Sequence, residues 1–336
     1  MARLRGSGPP TDVGGVRDDA MSTFLQISFS GLATGAIFAI AAVGFALLWQ
    51  TAGAINFAHG EFIALPAVIM LILGEQRPTL GLPDWVPVVG GTAVAGPLPE
   101  MGIIVAFVLT IPLAVLVLGY VFKVSLVDRL LTPGGDDIPL VIASLGLALL
   151  IREYLRVEFG ARPEQFPSTF GTARWRPGGI PISADDVGVL AVCIAVILAL
   201  QMFLRRTYTG RQMEATAQSP HTARLLGIPV DRMVFYTFAI NAVLVTVAAL
   251  LVAPTTHARW DGGLSLSLVA FTAAIIGGFN QVRGALVGGF VVGLLQNWSA
   301  YYLSSAYREA IPLLLLILVI LWRPQGLFGV AEERRV

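Results

Sequence analysis

Asn56, His59 and Glu61 fall within about one and a half helical turns of each other, in a tract that is otherwise apolar from residue 53 to residue 73. An amide, an imidazole and a carboxylate so placed can bond a broken helix end, relay a proton or hold a polar solute. Left unpaired in hydrocarbon, each would cost on the order of 2–7 kcal/mol. They must therefore face protein or a water-filled path. Two readings follow: the three residues fix a helix end, or they line a translocation path. A metal site does not follow, because a His and a Glu two residues apart do not face each other on a helix. His221 and His257 lie far off in sequence. Glu153 is the other carboxylate in an apolar tract with a position suited to ion coupling.

Signals for bond chemistry are missing. The sequence has no GxxxxGK[ST], no HExxH and no GxSxG. No catalytic residue, metal ligand or cofactor is assigned, and an enzyme is not expected. Cys193 is the only cysteine, so no disulfide forms within the chain. A net charge of +1 gives no reason to expect a nucleic-acid partner.

A third group of residues suggests a contact instead of a reaction. Residues 205–232 carry Arg205, Arg206, Arg211, Arg224 and Arg232. Within them Ser219 suits a helix N-cap, Pro220 the first helical position, and Gly227 the residue after the last turn. The helix so framed is about two turns long, too short to stand alone in water. With Arg224, Leu225 and Leu226 near its end, it needs something to dock on.

The elements that must position these residues are membrane helices. The chain of 336 residues is 56% hydrophobic and 13% charged, with mean hydropathy +0.77, against roughly 45–50% and about 25% in soluble domains. Apolar tracts fall at 23–49, 53–73, 101–122, 138–155, 187–204, 233–253, 264–279, 284–303 and 308–322. Several reach the roughly 20 residues needed to cross a bilayer. The fold expected is an all-α polytopic membrane protein with about 8–9 transmembrane segments. Segment 53–73 either spans or re-enters. Residues 1–20 read as a disordered extension, 21–330 as the transmembrane domain and 331–336 as a tail, with Met21 an alternative start. Ser183-Ala-Asp-Asp186 reads as a capping box. Arginine placement puts 205–232 and 323–336 in the cytoplasm. Nine segments put the N-terminus outside despite Arg3, Arg5 and Arg17, and a re-entrant second segment would reverse that. Gly31 and Gly35, Gly284 and Gly288, and Gly289 and Gly293 stand four apart, and Gly277 and Gly278 close the preceding segment. Small residues at this spacing let helix backbones approach closely.

Several stretches resemble one family. Glu214, Ala215, Ala217 and Leu226-Gly-Ile-Pro-Val-Asp-Arg232 resemble the cytoplasmic coupling loop of ABC importer permeases, in its branched-chain amino acid form. Asn56-Phe-Ala-His-Gly-Glu61 is similar to the segment after the first helix of LivH-type permeases. Phe271-Thr-Ala-Ala-Ile-Ile-Gly-Gly-Phe279, Arg283-Gly-Ala-Leu-Val-Gly-Gly289 and Arg323-Pro-Gln-Gly-Leu-Phe-Gly329 resemble their late helices and end. The resemblance implies a multi-pass permease in a bacterial inner membrane. It also implies a second permease subunit, cytoplasmic ABC ATPases that bind and hydrolyse ATP, and a periplasmic substrate-binding protein. Glu214, Ala215, Ser219, Arg224, Leu225, Leu226 and Gly227 would meet the ATPase, and Asn56, His59 and Glu61 would lie on the path. The substrate implied is a branched-chain amino acid; urea and short-chain amide permeases share the pattern. A stand-alone carrier or channel is the reading from another class, and it lacks coupling carboxylates or a filter.

Overall fold

The computed structural model describes residues 13–52, 56–74, 109–130, 138–159, 170–171, 173–176, 180–256, 262–279 and 281–329. The expectations for residues 1–12, for the loop after residue 74 up to 108, and for the tail 331–336 lie outside them. Each apolar tract becomes a helix: α1 (Val13–Ala52), α2 (His59–Gly74), α3 (Leu109–Leu130), α4 (Ile138–Phe159), α5 (Ala184–Arg206), α8 (Val230–Thr256), α9 (Gly262–Gly277), α10 (Val282–Tyr302) and α11 (Ala310–Trp322). Two short helices, α6 (Tyr208–Gln218) and α7 (Pro220–Leu225), lie between α5 and α8. A two-residue ladder pairs β1 (Arg174–Trp175) with β2 (Ile182–Ser183). Among the described residues six helices are long and apolar enough to cross a membrane, while Gly262–Gly277 is apolar but shorter.

Side-chain contacts set the direction of each helix. Trp298 donates to Ser28, Gly31 lies on Leu294, Gly35 on Phe290, and Trp49 meets the ring of Phe279. These pairs run α1 and α10 antiparallel. Ser30 donates to Asp186 at 2.6 Å, so α5 starts beside the Ser30 turn, partway along α1, and from there the two run the same way. Both therefore end on the face that carries α6 and α7, the elbow face. Tyr120 meets Phe235 and Phe122 meets Phe238, which sets the middle of α3 against the early turns of α8. The N–H of Phe57 donates to Ser144 at 3.2 Å, which sets the early turns of α4 beside the start of α2. Residues 205–232 and 323–329 thus share a face, with α8 to α11 between them.

That geometry bears on segment 53–73. Helix α2 starts with His59 beside Phe45 and reaches Ala64 beside Leu155. Helix α2 thus runs from α1 to α4, and α1 begins on the face opposite the elbow. Helix α1 also begins at Val13, eight residues before Met21.

Helix α1 is the central strut. Its Gly and Ala residues keep it narrow, and α5, α8, α9 and α10 all pack on it. Ala36, Ala39, Ala41, Ala42 and Ala46 are wholly enclosed. The capping box does not form. Ser183 occupies the N-cap of α5 without a side-chain bond. Asp186 is held by the Ser30 hydroxyl, and Asp185 accepts from the N–H of Phe170 at 2.9 Å. The carboxylates tie neighbouring segments down instead of closing on their own helix.

Candidate buried polar site and coupling elbow

The Oδ1 of Asn56 accepts from the N–H of Ala58 at 3.0 Å, and its carbonyl accepts from the N–H of His59 at 3.3 Å. Both bonds serve the otherwise unsatisfied donors at a helix start. Asn56 therefore bonds the start of α2. His59 is fully enclosed, its ring 3.9 Å from that of Phe45. Glu61 is 2% exposed. A Cβ added at Gly60 would stand 2.5 Å from the carbonyl oxygen of Gly263 and 2.6 Å from Cβ of Ser267. Helices α2 and α9 thus touch backbone to backbone, which carries Glu61 up against Gly263.

Sequence reasoning missed two members of this site. Asn241, 2% exposed, lays its Oδ1 on Gly44 of α1, where His59 also lies. Ser267 reaches Gly60 from α9. A lone Asn in the apolar run of α8 was the available signal. The structure brings Asn56, His59, Glu61, Asn241 and Ser267 together where α1, α2, α8 and α9 meet. All five are buried. In this conformation the cluster is closed to both solvent and lipid. It can bond helix to helix, and it can meet a solute only when those helices part.

The elbow is built by local rules. Thr207 caps α6 by accepting from the N–H of Gly210 at 2.9 Å. A Cβ at Gly210 would press on the Leu204 backbone, so this glycine lets α6 fold back on the end of α5. Ser219 caps α7 by accepting from the N–H of Thr222 at 3.2 Å, with Pro220 in the first turn. At the far end Gly227 has φ +79°. Its N–H donates to the carbonyl of Arg224, and the N–H of Ile228 donates to that of Ala223, both at 3.0 Å. This pair of bonds around a left-handed glycine is the Schellman stop.

Packing divides the elbow into two sides. Gly210, Met213, Thr216 and Ala223 are buried, where α6 leans on α1, α5 and α8. Glu214, Arg224, Leu225 and Leu226 are exposed, the two leucines at 76% and 74%. Ala215 and Ser219 are half-buried. Arg224 stands 4.0 Å from Asp231, both well exposed, and at such a distance the pair contributes little.

The glycines singled out in sequence lie at helix contacts. A Cβ at Gly35, Gly289 or Gly293 would run into the backbone of the facing helix across α1 and α10. Gly31 is nearly as close to Leu294. Gly277, Gly284 and Gly288 do the same across α9 and α10. Gly278, at φ +111°, faces the chain end, where Gly329 lies. There the N–H groups of Leu327 and Phe328 donate to the carbonyls of Ile276 and Gly277 at 2.8 and 3.0 Å. The last described residues thus cap α9.

The family described as branched-chain amino acid transport system / permease component matches residues 27–320. The chain belongs to that family. This permease is 28% identical over 325 residues to the high-affinity branched-chain amino acid transport system permease protein LivH of Escherichia coli, covering 93% of this chain and 98% of that one. It is 27% identical over 318 residues to the permease protein BraD of Pseudomonas aeruginosa, with the same coverage. It is 25% identical over 309 residues to a probable LivH of Methanocaldococcus jannaschii, covering 86% and 87%. No solved structure matches the permease.

Proposed function

We propose that this permease imports branched-chain aliphatic amino acids across a bacterial inner membrane, powered by ATP hydrolysed on a separate subunit. The observation that carries the reading is the elbow: a short helix capped at both ends, with two leucines held in water on an arginine-rich face. A helix of this length gains nothing by exposing Leu225 and Leu226 unless a partner covers them. A cytoplasmic ABC ATPase is that partner, and the elbow face is cytoplasmic. A periplasmic binding protein delivers the amino acid to the opposite face, and a second permease completes the path. The transmembrane unit spans 21–330, with 205–232 as its coupling loop.

The mechanism follows from what the elbow leans on. ATP-driven closure of the ATPases moves α6 and α7. Their buried side rests on α1, α5 and α8, and α8 carries Asn241 into the buried polar site. A push at the elbow parts the helices around Asn56, His59 and Glu61. These groups then face the path in one state and each other in the next, which is alternating access by two packings of one bundle. No covalent step occurs on the permease.

The test is uptake of labelled leucine, acetamide and urea into vesicles holding the permease with its ATPase, second permease and binding protein. Leucine uptake that requires ATP and exceeds the other two supports the reading. Uptake unchanged without ATP, or preference for urea or acetamide, refutes it.

A further inference from the structure

Helix α4 carries an ion pair inside a membrane-length apolar helix, and it faces away from the bundle. Arg156 donates to Glu153 through Nε and through Nη2, each at 2.7 Å. The two side chains are 51% and 56% exposed. Glu153 is fifteen residues beyond Ile138, about 22 Å along the helix, within the length of a hydrocarbon core of about 30 Å. On its other side Leu155 is packed with Ala64 and Ile151. Ionisable groups at such depth are expensive and mark substrate pathways. The buried cluster around His59 does not use this pair, and neither does the elbow.

The same face continues with Ile142, Leu145, Gly146 and Leu149, at helical spacing from Glu153 and Arg156. Ile142, Leu145 and Leu149 are exposed, and around Gly146 there is open space. The face is thus an aliphatic lane with a notch, headed by the Glu153–Arg156 pair, with the half-buried Arg152 beside it. That is the chemical complement of an aliphatic α-amino acid, which has an ammonium and a carboxylate on one carbon and a branched hydrocarbon beyond. We propose that this face of α4 lines the translocation path and binds the zwitterion. Glu153 takes the ammonium and Arg156 the carboxylate, while the aliphatic side chain lies along Leu149 and the Gly146 notch. The pair opens to receive the solute and closes on itself when the solute leaves, so neither charge stands alone in the membrane. The inference rests on the importer reading above and adds the substrate contact to it.

The test uses the full complex in vesicles, with Leu149→Cys in a Cys193→Ala background. A path residue reacts with a charged, water-borne thiol reagent, and leucine-loaded binding protein slows that reaction. Reaction only with a lipid-phase maleimide would make the face a lipid contact and overturn the proposal. No reaction with either would place it against the second permease and overturn it equally. Arg156→Gln should lower leucine uptake at least tenfold while membrane level holds, and Arg156→Lys should recover part of the uptake. Unchanged uptake in Arg156→Gln overturns the proposal. Absence of stimulated hydrolysis in the unaltered complex is the separate failure, that of the importer reading.

Discussion

Replacing Gly227 isolates one physical term. Its φ of +79° is left-handed, and a Cβ added there meets nothing within 4 Å. Steric clash drops out, and only backbone preference remains. An L-residue in that region costs about 1–2 kcal/mol, with β-branched side chains at the upper end, whereas Asn adopts it with less penalty. Helix α7 has six residues and no local reserve of stability, so the penalty acts directly on the elbow. At about 1.4 kcal/mol per factor of ten, Gly227→Val should reduce the docking-competent form roughly 10–30-fold. Gly227→Ala should fall between Val and the native residue, and Gly227→Asn should stay close to native. The assay is co-purification of the ATPase with each variant, alongside its ATP hydrolysis stimulated by the binding protein. Equal behaviour of Asn and Val, or a flat response across all three, would refute the argument that the left-handed stop shapes the docking surface.

Leu226→Asp should abolish ATPase retention and uptake while membrane level holds, because a residue 74% exposed costs the fold little but puts a charge in the contact. Gly289→Ala should lower the thermal midpoint of the solubilised permease, an overpacking cost of about 1–3 kcal/mol, since the new methyl falls on the Ala39 backbone. Gly146→Ala, with open space around it, should be neutral or raise the midpoint, a gain of about 0.5–1 kcal/mol; equal shifts in the two would refute the packing argument. Asn56→Ala should lower membrane level by removing the cap on α2, a loss of about 0.5–2 kcal/mol, and Asn56→Asp should keep it. Glu61→Ala should lower uptake more than level, as transport and quantitative blotting of the same membranes will decide.

Helix positions were legible because lipid demands long apolar tracts, and the elbow because capping is a local code. Ser219, Pro220 and Gly227 act over six residues, and the structure places each in the role its chemistry suggests. Non-local features were not legible. The capping box at Ser183 looked complete, yet Ser30, distant in sequence, takes Asp186. Asn241 and Gly44 are unremarkable until α1 and α8 meet. The side of the N-terminus could not be read because Arg3, Arg5 and Arg17 argued against the segment parity. The structure places the start of α1 on the face opposite the elbow. Arg156 read as a loop residue because the apolar run fades before it, while the helix continues to Phe159.

The strap that follows α11 holds α9 through backbone alone. The N–H groups of Leu327 and Phe328 serve two carbonyls, at Ile276 and Gly277, that a helix leaves open at its end. Because no side chain donates, most replacements at 327 and 328 leave the latch in place, whereas proline at either position removes a donor and releases one carbonyl.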